Sequence, residues 1–212
     1  MLTLHDFALS ADCYKVRLLL SVLGVAHDPV PVDCFPGGEN RSPAFRRLNP
    51  LGEVPVIEDE GFVLYEATAI LVYLAGRYDA GGGWYPRAEP QALGEIGQWL
   101  AFSARLAATA GVARLAEGFL IAADVAACRA GAHGLLQVLD EHLWFRERAG
   151  GAWLCARPAP TLADIACFPD VMLSEEGGIA RQDYPSVRRW TDRVKRIPGF
   201  TVMPGVFPAG PA

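Results

Sequence analysis

The periodicity of the chain changes once, and that change constrains the fold more than any single motif. Up to residue 78, short runs with the two-residue repeat of a strand alternate with stripes of helical spacing. "LTLH" at 2–5 reads as a strand. In "DCYKVRLLLSVLG" at 12–24, Val16, Leu19, Leu20 and Leu23 share one helical face, and Gly24 supplies a stop. "DPVPV" at 28–32 reads as a proline-limited strand, and 33–53 as a polar loop with a helical turn near "SPAFRRL". "VPVI" at 54–57 and "FVLY" at 62–65 flank the turn "EDEG", which predicts a hairpin. "EATAILVYLAGRY" at 66–78 then continues as a helix with no intervening loop. Residues 79–90, "DAGGGWYPRAEP", break every periodicity and read as a linker.

Beyond the linker the spacing predicts helices alone, over 91–119, 121–148, 161–176 and 185–197. Thr161 with Asp164 three residues on predicts a capping box, and Pro185 a helix entry. The expected architecture is therefore an α/β domain of order β-α-β-β-β-α over 1–78 and an all-α domain over 91–212.

Composition removes several function classes. The chain has 212 residues, 51% of them hydrophobic, enough for substantial cores. Its net charge is −5 and its basic pairs, Arg46-Arg47 and Arg188-Arg189, are isolated, which does not imply a nucleic-acid partner. No apolar run is long enough for a membrane span. The start "MLTLHDF" carries no basic and apolar leader, so a cytoplasmic location is expected. The five cysteines are odd in number and form no C-x-x-C, and the four histidines are scattered, so neither a disulfide framework nor a metal site is expected.

Three stretches can carry chemistry, and each has a plain structural alternative. Pro55 sits in a predicted strand, where it removes a ladder donor. A cis bond there would turn the backbone of Val54 outward for an extended peptide, whereas a trans proline would simply begin the strand. Glu66 and Ala67 stand where a strand feeds directly into a helix. The free first-turn N–H groups suit a carboxylate, and Glu66 an ammonium, although Glu66 can equally be an ordinary acid at a helix start. Ser10, Asp12 and Cys13 lie at the first strand–helix junction, where a helix start can lower a thiol pKa to roughly 3.5–7.5. The alternative there is a capping serine and a packed cysteine.

Together these stretches resemble the cytosolic glutathione S-transferases. The resemblance is carried by "LSADCYKVRLLLSVLG" at 9–24, "SPAFRRLNPLGEVPVIED" at 42–59, "LYEATAILVYLAGRY" at 64–78 and "APTLADIACF" at 159–168. It implies a thioredoxin-like N-terminal domain, an all-helical C-terminal domain, a homodimer, and glutathione as cosubstrate with no metal. It also implies that Val54, before a cis Pro55, pairs with the cysteinyl backbone of glutathione. Glu66 and Ala67 would take its γ-glutamyl head, and Asn40 and Arg41 its glycyl end. The family has a serine where this chain has Ala67, so one hydrogen bond to a charged group, worth about 1.5–3 kcal/mol, is missing. The thiolate would be steadied by Ser10 or, in a second alignment, by Cys13. Ser10 suits attack on a small hydrophobic electrophile or a peroxide, and Cys13 suits thiol–disulfide exchange. A non-catalytic dimeric binding protein is the third reading. Phe7, Trp99, Phe102 and Arg105 can line a pocket for the second substrate or serve as core and interface residues.

Overall fold

The computed structural model describes residues 1–119 and 121–206. Four strands form one mixed sheet in the order β2-β1-β3-β4: β1 is Leu2–Asp6, β2 Asp28–Pro31, β3 Val56–Asp59 and β4 Phe62–Tyr65. β1 and β2 run parallel, so a crossover must join them, and helix α1 (Ala11–Leu23) supplies it. β1–β3 and β3–β4 are antiparallel, with His5 opposite Val56 and Val56 opposite Tyr65. Pro29 and Pro31 lie on the edge strand β2, where a lost ladder donor is tolerated.

Alternation along β3 divides the apolar residues between two faces. Ile57 joins the main core with Leu2, Leu4, Leu19, Ile70 and Leu74, while Val56 packs in a smaller cluster with Val32 and Phe45. Helix α2 (Ala67–Tyr78) follows β4 through the single residue Glu66. The helices beyond are α3 (Pro90–Leu106), α4 (Val112–Phe119), α5 (Val125–Arg148), α6 (Leu162–Met172) and α7 (Pro185–Val194). Among the described residues beyond α3 the extended structure is one isolated bridge, Met203–Val206. The fold class is thus a thioredoxin-like α/β unit followed by an all-helical region.

Several predicted boundaries shift for local reasons. The strand predicted over 54–57 begins only at Val56, and the Val54–Pro55 peptide bond ahead of it is cis, as is Phe35–Pro36. The helix predicted over 91–119 is interrupted by a π-helical segment, Ala107–Gly111. There the Thr109 hydroxyl donates back to the carbonyls of Arg105 (2.8 Å) and Leu106 (3.3 Å), and a Cβ on Gly111 would sit 3.0 Å from the Asp170 carboxylate. The helix predicted over 161–176 ends at Met172 and passes into a 3-10 turn, Ser174–Gly177. Its capping box is present as predicted: Ala163 N–H donates to Thr161 Oγ1 (3.3 Å) and Thr161 N–H to Asp164 Oδ2 (2.9 Å).

Candidate functional site

The first strand–helix junction is built tightly around Ser10. Its N–H donates to Phe7 O (2.9 Å), its carbonyl accepts from Tyr14 N–H (3.0 Å), and its hydroxyl oxygen accepts from Cys13 N–H (3.1 Å). Ser10 is therefore the N-cap of α1. A hydroxyl that accepts one bond still has a proton to donate, so capping leaves Ser10 free to hold an anion outside the helix. The preceding carbonyl, of Leu9, is pinned from α4 by Arg114 (2.8 Å), which is itself buried and paired with Glu176 (2.5 Å).

Cys13 faces the other way. It is fully buried, its sulfur accepts from Phe7 N–H (3.4 Å), and burial pushes its thiol far above the usual range. Tyr14 is buried as well, with its hydroxyl donating to Thr201 O (2.6 Å). Burial also raises Cys34 and Cys155, each to about 11.

A small cleft of about 30 Å³ lies where α1, the Asn49–Glu53 loop and the start of α2 meet, lined by Asp12, Asn49, Glu53, Val54, Pro55, Glu66 and Ala67. Two features make it receptive. Val54 lies just outside the β3 ladder, and neither its N–H nor its C=O takes a backbone partner among the described residues. Helix α2 starts without a side-chain cap, and its first N–H with a backbone acceptor is that of Ile70, to Glu66 O (2.9 Å). The N–H groups of Ala67, Thr68 and Ala69 thus stay open, with the positive end of the helix dipole behind them.

Glu66 is exposed and has φ +71°, one of two non-glycine residues with positive φ among the described residues, the other being the hairpin residue Glu60. That conformation costs about 1–3 kcal/mol and holds only where the surroundings enforce it. Glu53 faces the same cleft. Partial burial, then the carboxylates of Glu66 and Asp12, hold its pKa above the ordinary value.

The remaining predicted residues are placed less directly. Asn40 donates to Gly52 O (2.6 Å), tying its loop to the Asn49–Glu53 turn, and its Oδ1 is buried without a partner. Arg41, beside it, is exposed and makes no ion pair among the described residues. Phe7 lies on the Ser10 side, its ring centroid 6.1 Å from that of Phe119, which in turn is 5.2 Å from Phe35. Trp99 instead is buried against Phe102 (5.1 Å) and His142 (4.7 Å). Phe102 and Arg105 line a different cleft, between α3 and α5. Of the four residues suggested for a second-substrate pocket, one lies at the Ser10 junction.

Sequence reasoning missed Phe35, Phe119, Arg114 and Glu53. The aromatic trio comes from the residue after β1, a loop and α4, whose convergence no spacing announces. Glu53, in contrast, stood one residue before Val54 and could have been suspected from its position.

Comparison with known proteins gives a consistent picture. Residues 4–83 match the profile of "Glutathione S-transferase, N-terminal domain". A maleylacetoacetate isomerase of Pseudomonas aeruginosa is 28% identical, over 93% of this chain and 92% of its own length. The crystal structure of a glutathione S-transferase from Xanthobacter autotrophicus superposes with a TM-score of 0.84 at 30% identity, covering 97% of this chain and 98% of that one. Ure2p in complex with glutathione superposes with a TM-score of 0.83 at 25% identity, covering 93% of this chain and 91% of that one. Over its full architecture as well as in its N-terminal profile, this chain belongs to the glutathione S-transferase family.

Proposed function

We propose that the protein is a glutathione transferase in which Ser10 steadies the thiolate of glutathione for attack on a small electrophile. The observation that carries this reading is the cleft itself, which sets an unpaired backbone edge at Val54 beside an uncapped helix start at Ala67 and a carboxylate at Glu66. These three groups complement the middle of a short peptide, an α-carboxylate and an α-ammonium in turn. Asn40 and Arg41 are assigned to the glycyl carboxylate, with Arg41 free to supply the charge.

In the reaction the glutathione thiol loses its proton to solvent. The Ser10 hydroxyl donates to the resulting thiolate, and the open N–H groups in the first turn of α1 add the field of the helix start. The sulfur lone pair then forms the new bond to the electrophile, whose leaving group departs with the displaced electron pair, or whose double bond takes up the charge. Phe7, Phe35 and Phe119 offer an aromatic wall for that electrophile. The likeness to the P. aeruginosa isomerase favours a second outcome at the same site, in which the thiolate adds to a conjugated double bond and is expelled after rotation, so that glutathione is not consumed.

The burial and raised pKa of Cys13 support Ser10 over a thiol–disulfide mechanism through Cys13. We further propose a cytoplasmic homodimer, with no nucleic acid and no metal in its chemistry. No helix among the described residues is long and apolar enough to cross a membrane. Calorimetric titration with glutathione, followed by turnover of an electrophile and peroxide panel, tests the assignment. Ser10→Ala is expected to retain glutathione binding and lose about tenfold to a hundredfold in kcat/KM. Turnover equal to wild type in Ser10→Ala would remove Ser10 from the mechanism. Binding without turnover of any substrate would favour a non-catalytic binding protein.

A further inference from the structure

An arginine from the helical region holds the peptide unit that carries Ser10. Arg114 of α4 is 5% exposed, and its guanidinium divides between two partners: Nη1 donates to Leu9 O (2.8 Å) and Nε to Glu176 Oε2 (2.5 Å). Its burial is compensated by charge. Glu176 stands on the 3-10 turn after α6, and Asp170 of α6, itself paired with the buried Lys15 (2.8 Å), also acts on Arg114 electrostatically. The turn is seated directly on α4, since a Cβ on Gly177, next to Glu176, would lie 2.8 Å from Arg114 N. Arg114 is thus anchored where it reaches the junction.

Leu9 O accepts from no other donor among the described residues. That carbonyl shares a planar peptide unit with the Ser10 N–H, which points the opposite way and donates to Phe7 O (2.9 Å). A peptide unit held at both ends resists tilting about its Cα–Cα axis. Its tilt bears on φ of Ser10 (−77°), and φ in turn directs Cβ and the hydroxyl. The carbonyl before it, of Ala8, is held by Arg17 of α1 (3.1 Å), so the Phe7–Ser10 turn is clamped both from its own helix and from α4. Without Arg114 the Leu9 carbonyl would turn to water, and the Ser10 hydroxyl would lose part of its fixed aim.

We propose that Arg114 is a positioning residue, acting through the Leu9–Ser10 peptide to aim the Ser10 hydroxyl at the glutathione sulfur. This inference rests on the assignment of Ser10 above and extends its machinery to a residue that lines no part of the glutathione cleft. A misaimed donor weakens stabilisation of the thiolate more than it weakens binding of the peptide, whose head and middle are held elsewhere.

The experiment is a double-mutant cycle between Arg114→Gln and Ser10→Ala, with folding checked by chemical denaturation. Each variant is titrated with glutathione, the ionisation of the bound thiol is followed against pH by its ultraviolet absorbance, and turnover is measured with an activated aryl chloride. In Arg114→Gln, glutathione affinity is expected to stay within about twofold, while kcat falls about threefold to tenfold and the bound thiol ionises at higher pH. In the Ser10→Ala background the same substitution is expected to move neither kcat nor the thiol. Should Arg114→Gln fail to fold, Glu176→Ala, at a carboxylate that is 42% exposed, frees the guanidinium and is expected to shift both readouts the same way, kcat by about twofold and only with Ser10 present. An unshifted thiol in the folded variant would overturn the proposal. An equal shift with and without Ser10 would also overturn it, by making Arg114 act on the sulfur through its charge alone. A bound thiol in wild type that Ser10→Ala leaves unchanged would instead defeat the assignment of Ser10, and failure of wild type to bind glutathione at millimolar concentration would defeat the glutathione reading, each taking this inference with it.

Discussion

Helices α6 and α2 begin in opposite ways. At α6, Thr161 accepts from the first turn, while Asp164 receives Thr161 N–H (2.9 Å), Leu154 N–H (3.2 Å) and the Trp190 indole N–H (2.8 Å). Both residues are fully buried. At α2, Glu66 caps nothing, is exposed, and holds a positive φ. The first start consumes its donors internally and contributes stability. The second leaves its donors open and gives up stability in backbone strain. A helix start of the first kind has nothing left to offer a ligand, and one of the second kind is suited to little else.

The largest effect is expected where the closed start is opened. Asp164→Ala strands three donors in the interior, since Thr161, Leu154 and Trp190 all lose their acceptor. A loss of about 3–5 kcal/mol in stability is expected, read by chemical denaturation, with the glutathione affinity of the surviving folded fraction unchanged. A small loss would erase the distinction between the two starts. At the open start the converse holds. Glu66→Gly removes the penalty of positive φ and with it the carboxylate, so stability is expected to stay level or rise by about 0.5–1 kcal/mol while glutathione affinity falls about tenfold. A variant that lost both would show Glu66 to be structural after all.

The two starts were unequally legible in the sequence. Thr161 and Asp164 announce themselves, because a capping box is a local pattern with fixed spacing, and the structure forms it. The strand–helix join at Glu66 could be seen, but not its positive φ, since nothing in "LYEATA" demands a left-handed residue. The sheet order was likewise implicit in the βαβ and hairpin patterns, whereas nothing in 91–119 announces the π segment, where Gly111 packs against Asp170, some sixty residues away. Lys15 gave the least warning. A lysine on an amphipathic helix reads as a solvent-facing residue until α6 is laid against it.

Adding a hydroxyl to the open start sharpens the comparison further. Ala67→Ser places a donor beside the open N–H groups proposed to take the ligand carboxylate, at a position that is buried but small. Glutathione affinity is expected to rise about threefold to tenfold with stability unchanged within about 0.5 kcal/mol, measured by titration and thermal melting on the same samples. No gain in affinity would mean that the carboxylate lies elsewhere along the cleft.

The smallest effect concerns protons at the open start. Partial burial and the charges of Glu66 and Asp12 raise the pKa of Glu53, so the free cleft keeps a proton there to higher pH than an ordinary carboxyl would, and an arriving ammonium is expected to displace it. The sign follows from linkage: bound glutathione stabilises the ionised carboxylate, lowers its pKa and releases the proton. Affinity should therefore rise with pH from the ordinary carboxylate range through the raised pKa of Glu53, and level off above it. The expected change is less than about tenfold, because Glu53 is exposed enough for solvent to screen it. Titrations in buffers of different ionisation enthalpy would detect the released proton directly, and in Glu53→Gln that proton and the acid-side slope should both diminish. An acid-side slope undiminished in Glu53→Gln would remove Glu53 from the proton linkage.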